Sequence, residues 1–134
     1  MAIPAYGTAG TEVLYRTSIH AQGPSDPTAF EWDRTAGATG TETYTVDTDH
    51  IITVLSISFC NQDTASTSTR LVDLYILDST LNEYIFLLHD QSLGPAATFV
   101  WNDKFSLVAG DKLIVDANAG ANIDCLCTYI DQVF

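Results

Sequence analysis

The sequence predicts an all-β fold: an antiparallel β-sandwich, jelly-roll or Ig-like, with an extended N-terminal arm. Three observations predict it. From residue 43 to 134, short segments of alternating apolar residues succeed one another. Turn-forming residues separate them about every 8–12 positions, the spacing of strands in a sandwich. Helical periodicity is absent throughout.

Size and charge bound the rest. A chain of 134 residues fits one domain, and such a domain buries roughly two-thirds of its unfolded surface. With 46% hydrophobic residues it builds a core without metal or disulfide staples. Seventeen acidic residues stand against Arg16, Arg34, Arg70, Lys104 and Lys112, for a net charge of −12. Nucleic acids and anionic membrane surfaces are held by clustered cations, so both are excluded as partners. The acidity instead keeps a protein soluble and spares it non-specific contacts. No apolar run approaches the ~18 residues of a membrane span. The N-terminal MAIPAYGTAG lacks the basic start and apolar stretch of a secretory signal. Three cysteines, Cys60, Cys125 and Cys127, are too few for a disulfide framework and fit assembly in a reducing cytoplasm.

Residues 1–42 differ in composition from the remainder of the chain. Gly, Ala, Thr and Pro dominate, and residues 22–28 (QGPSDPT) read as a loop. Residues 12–20 (EVLYRTSIH) put Val13, Tyr15, Thr17 and Ile19 on one parity, so a strand is expected there. Phe30 and Trp32 alternate weakly, and residues 35–41 (TAGATGT) are too small and flexible to hold structure alone. The expected organisation is an arm, 1–42, with one or two strands, and a β-sandwich domain, 43–134.

From residue 43 the pattern tightens. Residues 43–47 (TYTVD) read as a short strand with a turn after it. Residues 51–60 (IITVLSISFC) carry apolar side chains on both parities in their first half, as a strand buried on both faces does. After a polar loop at 61–69 come strands at 70–77 (RLVDLYIL) and 83–89 (EYIFLLH), joined by a hairpin connection at 78–82. Gly94-Pro95 opens a turn, residues 98–101 extend, and Asn102-Asp103 turns again. Residues 105–108 lead to Ala109-Gly110-Asp111, where Gly110 is free to take φ > 0. Residues 112–116 (KLIVD) and 123–130 (IDCLCTYI) complete the set across a turn at 117–122.

Chemistry leaves little trace. Cys125 and Cys127 share one side of a strand, but zinc needs two further converging ligands. Only Cys60 and the distant His20, His50 and His89 are on hand, and small buried hydrophobes are what these thiols resemble. No nucleophile elbow, His-Glu-x-x-His helix or phosphate loop is present. Asp47, Asp49, Asp73 and Asp78 offer oxygens for calcium, without the loop or repeat that gathers six to eight of them. No catalytic residue, metal site or cofactor is therefore expected. The candidate partner-binding residues are Tyr6, Tyr15, Phe30 and Trp32: aromatics in a segment too poor to fold alone either anchor in a partner's pocket or pack back on the chain's own sandwich. Tyr84, Phe99 and Trp101 form either a sugar-stacking platform or ordinary core and hairpin packing.

One order of elements is familiar. Thr43 to Val46 (TYTV) precedes a strand ending at Asn61 (ITVLSISFCN); next come a Ser/Thr-rich gap, Leu71 to Leu77, Tyr84 to Leu87 (YIFL) and Gly94-Pro95-Ala96-Ala97-Thr98. Then come Phe105 to Val108, the turn Ala109-Gly110-Asp111 with Lys112 to Val115, and a last strand from Ile123 to Tyr129. Over residues 43–131 this resembles small minor structural proteins of tailed bacteriophages, decoration or tail-associated, in which such motifs frame one β-sandwich. The arm is longer than the minimal pattern, and the cysteines are not part of it. The resemblance implies a virion component, assembled in the host cytoplasm and built by protein–protein contacts rather than catalysis. The first expectation is a capsid decoration (cement) protein, a homo-oligomer with a trimer favoured, whose partner is the major capsid protein or another virion protein. A tail, collar or fibre-adaptor component is the alternative within the virion. A host-surface carbohydrate-binding module is the alternative outside it.

Overall fold

Side chains alternate between the two faces of a strand, so a segment with apolar residues on one parity becomes one wall of a core. The computed structural model describes residues 11–22, 27–32, 44–118 and 121–134. Among them are nine strands: β1 (Thr11–Gln22), β2 (Thr28–Ala29), β3 (His50–Asn61), β4 (Arg70–Asp78), β5 (Glu83–Leu93), β6 (Thr98–Trp101), β7 (Phe105–Val108), β8 (Lys112–Ala117) and β9 (Ile123–Val133). No described residue is helical.

All pairings are antiparallel, in two sheets. One runs β1-β9-β3-β6, with β7 also on β3; the other runs β2-β8-β4-β5. β6 and β7 share one edge of β3, Thr98 to Trp101 facing Cys60 to Ile57 and Phe105 to Val108 facing Val54 to Ile51. Counted as one interrupted strand, they leave two four-stranded sheets in the jelly-roll order. Of the two sandwich types expected, the strand order selects the jelly roll.

The core draws on both sheets. Ile52, Val54, Ile57 and Phe59 of β3 and Cys125, Cys127 and Tyr129 of β9 meet Val72 and Leu74 of β4 and Leu113 and Val115 of β8. Each such burial contributes roughly 1.5–3 kcal/mol before chain entropy is counted. Burial on β3 switches parity between Val54 and Ile57, where the register against β9 shifts at a bulge. That switch explains the two-parity pattern of residues 51–60, which the sequence presents as burial on both faces.

The boundary expected at residue 43 divides strands that are bonded to one another. β1 pairs with β9 from Thr11↔Val133 to Gln22↔Ile123, and β2 pairs with β8 at Thr28↔Val115 and Ala29↔Ile114. Phe30 and Trp32, 0% and 5% exposed, belong to the core. The Phe30 N–H donates to the Leu113 carbonyl at 2.9 Å, and the Tyr129 hydroxyl donates to the Trp32 carbonyl at 3.1 Å. Poor composition between these segments hides their long-range partners, which supply the pairing that local sequence does not. Residues 44–47, expected as a strand, are not one. Val46 instead donates to the Asp111 carbonyl at 3.0 Å and accepts from the Gly110 N–H at 2.8 Å.

Two polar side chains fasten the loops. Asn61, fully buried, donates through Nδ2 to the carbonyls of Ser68 (2.7 Å), Gly94 (3.0 Å) and Leu93 (3.3 Å) and accepts the Asp63 N–H at 3.1 Å. It ties the end of β3 to the 61–69 loop and the end of β5. Asp111, 6% exposed, accepts from the Ser79 N–H and hydroxyl and from the Val108 N–H, each at 2.9 Å. It joins the β4–β5 hairpin to the β7–β8 turn. Gly110 sits in that turn at φ +90°, where a Cβ would lie 2.9 Å from Ser79 Cβ.

Candidate interaction surface

Apolar and aromatic side chains gather on the outer face of the β2-β8-β4-β5 sheet, apart from the core. The register sets Ala29, Ile114, Tyr75 and Phe86 in one row across all four strands. The next row is Lys112, Leu77 and Tyr84. Tyr75 and Ile114 are buried yet lie apart from the core cluster, because their cover comes from neighbours on this outer face. Tyr75 meets Tyr84 edge-on at 5.4 Å between centroids and Phe86 at 5.1 Å, and Phe86 meets His89 at 4.8 Å. Burial, then the nearby Asp116, Tyr84 and Asp73, pushes the Tyr75 phenol above its ordinary value, so it stays a neutral donor.

The far side of this strip is open. Tyr84 is 59% and Phe86 50% exposed, Leu81 at the hairpin tip is exposed with them, and Ile85 between them is exposed on the other face of β5. One end of the face is acidic. Asp73 Oδ1 accepts the Asp90 N–H at 2.7 Å and lies 3.2 Å from His89 Nδ1, while His89 Nε2 stands 3.8 Å from Asp90 Oδ2. Asp73, His89 and Asp90 thus converge closely enough to hold an ion. The geometry, however, is that of an imidazole clamped between carboxylates, with both ring nitrogens already facing one. An aromatic strip with a polar rim is the anatomy of a protein-binding patch.

The sequence candidates fall elsewhere. Tyr6 lies outside the described residues. Tyr15 stands on β1, half-exposed, with its ring 5.8 Å from that of Tyr129. Phe30 and Trp32 pack on the chain's own core, with Trp32 edge-on to Tyr129 at 4.9 Å. The proposed sugar platform does not assemble: Phe99 and Trp101 pack against the core from β6 on one sheet, and Tyr84 stands on the other. Phe86, Tyr75 and Ile114 were the residues that sequence reasoning missed. Tyr75 and Ile114 oppose the core parity of β4 and β8, but Phe86 shares the parity of core Leu88, and only the extra residue between them on β5 turns it to the outer face.

Polar clusters elsewhere are accounted for locally. His20 Nδ1 lies 2.8 Å from Asp124 Oδ1, and Asp124 pairs with Cys60 across β9 and β3. That order sets the carboxylate between imidazole and thiol, two strand spacings or about 9.5 Å apart, and a base must hydrogen-bond its nucleophile. His50 and Asp131 form a half-buried pair at 2.8 Å. Cys125 and Cys127 are buried core residues; burial pushes the Cys127 thiol up to about 12 and raises that of Cys125, with Asp124 and Cys127 adding to the latter. Asp78 Oδ1 accepts the N–H groups of Thr80 (2.8 Å) and Leu81 (3.0 Å), the work of a turn residue.

No protein-family model matches the chain, and no curated protein matches it. Solved structures are similar to it to differing degrees. A chain from the acidic stable capsid structure of Helicobacter pylori bacteriophage KHP30 aligns with a TM-score of 0.53 at 11% identity, over 93% of this chain and 94% of that one. A chain from the disulfide-linked pili of Bacillus endospore appendages aligns at 0.46 and 14% identity, over 100% and 97%. The globular domain of zebrafish complement 1qA protein aligns at 0.46 and 13%, over 87% and 94%. At 11% identity the likeness to the capsid chain is one of fold.

Proposed function

We propose that this chain is a structural protein of a virion, a decoration protein that stabilises a capsid shell through protein–protein contacts. The observation that carries the reading is the exposed aromatic strip of Tyr84 and Phe86 on a small jelly roll. A monomer has no use for such a strip, whereas an assembly buries it. The near end-to-end fold likeness to a chain from a phage capsid structure supports it, as does the order of motifs over residues 43–131. The proposed partner is the major capsid protein or another virion protein, and a net charge of −12 favours a surface bearing cations.

The copy number of this chain in purified particles, measured by quantitative mass spectrometry against the major capsid protein, tests the proposal. A shell protein is present in hundreds of copies, whereas a neck or tail ring holds roughly a dozen or fewer by symmetry. Hundreds support decoration. A dozen or fewer moves the chain to the tail, and none at all overturns the virion reading.

A further inference from the structure

Like charges meet on the outer face of the β2-β8-β4-β5 sheet. The register sets Asp73 of β4 directly opposite Asp116 of β8, both on the outer parity, with Tyr75 and Ile114 in the neighbouring row. Opposed like charges destabilise a sheet. Asp90, near the end of the edge strand β5, joins them, its N–H donating to Asp73 Oδ1 at 2.7 Å. Among the described residues no Arg or Lys pairs with any of the three. Arg70 is held by Asp63 at 3.1 Å, and Lys112 stands two rows away, opposite Leu77. His89 answers part of the charge, 3.2 Å from Asp73 and 3.8 Å from Asp90, with its ring edge-on to Phe86 at 4.8 Å. The face thus already holds one nitrogen base between carboxylates and an aromatic ring, while Asp116 accepts the N–H of Ala117 at 2.9 Å.

We propose that this face docks an extended, arginine-bearing segment of a partner protein, whose guanidinium groups stack on Phe86 and Tyr84 and pair with Asp73, Asp90 and Asp116. Charge complementarity selects this occupant. Same-face residues on a strand are about 7 Å apart, so a long side chain laid over the rings reaches the acidic row beside them. Cations are drawn by both halves of the face, by the carboxylates through charge and by the rings through their quadrupole. Arginine fits better than lysine, because a planar guanidinium stacks on a ring and offers a carboxylate two N–H groups at once. Shape disfavours a small cation, since small ligands take concave sites and this is the open face of a sheet. A second copy is disfavoured by its own charge of −12. The inference rests on the aromatic strip being an interaction surface, as proposed above, and adds the chemistry of what the strip meets.

The probe is a short peptide of alternating Gly and Arg, titrated into the full isotope-labelled chain and followed by NMR, with Lys and Gln versions alongside. The Arg peptide shifts signals of residues 73–75, 84–90 and 114–116, the Lys peptide binds more weakly, and the Gln peptide does not bind. Phe86→Ala weakens binding about two- to fivefold. Asp73→Asn with Asp90→Asn weakens it by about fivefold, whereas Glu12→Gln with Asp103→Asn, which removes the same charge from elsewhere on the surface, leaves it unchanged. The melting curve of each variant is the check on folding. Shifts spread over the whole surface overturn the inference, as do equal losses from the two acidic pairs or a Gln peptide that binds as well. Calcium chloride that moves the signals of Asp73, Asp90 and Asp116 where the Arg peptide moves none makes the row a metal site and overturns it too. Absence of the chain from particles refutes the virion reading and leaves this one standing; hundreds of copies with no peptide binding does the reverse.

Discussion

Gly110→Ala is expected to destabilise the fold by about 2–3 kcal/mol, for two separable reasons. At φ +90° an L side chain strains the backbone, which costs roughly 1–2 kcal/mol. The lower entropy of the unfolded alanine chain offsets up to about 1 kcal/mol of this. The new Cβ also stands 2.9 Å from Ser79 Cβ and 3.0 Å from its Oγ. Cβ cannot swing away as a side-chain tip can, so the hairpin backbone must shift. That shift loosens the Ser79 hydroxyl bonds to the Ala109 carbonyl (3.0 Å) and Asp111 (2.9 Å), at about another 1–2 kcal/mol. In a domain of 134 residues, about 1 kcal/mol corresponds to roughly 3–4 °C, so the melting temperature falls by about 6–12 °C. A double-mutant cycle separates the two causes. In a Ser79→Gly background the clash is gone, and Gly110→Ala costs only the backbone share of about 1 kcal/mol. Equal losses in both backgrounds, measured by urea unfolding, refute the steric half of this reasoning. No loss in either refutes the turn itself.

Two further outcomes are expected. A chain lacking residues 1–42 loses β1, β2, Phe30 and Trp32, so it shows no cooperative melting transition; a truncated protein that melts like the whole chain restores the boundary at residue 43. In the native state a thiol reagent at pH 8 modifies Cys60 and spares Cys125 and Cys127, and mass spectrometry that finds equal labelling refutes their burial. The same burial makes stability fall in alkali. The folded Cys127 thiol titrates at about 12 against an ordinary 9.0, so its contribution is complete below about pH 9 and is lost as pH rises toward 12. Cys125 and the Tyr75 phenol, both raised, act with the same sign. Urea midpoints that hold level from pH 8 to 11 contradict this.

Strands whose apolar residues keep one parity could be read from the chain, and those reset by a bulge could not. β8 is the clear case: Leu113 and Val115 face the core, and their strand appears in the sequence at nearly its observed length. β5 is the opposite case. Alternation fails after Phe86, where the register to β4 slips, so the strand runs on to Leu93 beyond the expected end at His89. β2 carries two residues and no pattern; it exists because β8 offers an edge and because Phe30 and Trp32 fill the end of the core. The interaction surface was hidden for a related reason. Tyr84 could be singled out as an aromatic, but its company depends on cross-strand register, and register joins residues that stand far apart in the chain.

Charge and edge have to be considered together. A regular, apolar strand edge pairs with almost any other strand presented to it, and with residues 83–88 alone this protein would aggregate. A net charge of −12 raises the cost of every approach between copies. The repulsion is long-ranged and indifferent to register, whereas strand pairing is short-ranged and depends on it. Their sum penalises the alignments in which carboxylates oppose one another. The acidity from which the sequence argues against a nucleic-acid partner also disfavours approach of another acidic surface to the β5 edge. Replacing acidic residues away from β5 with neutral ones should therefore promote association into higher, irregular species. A neutralised variant that sediments as a single sharp dimer would show that the edge selects its partner without help from charge.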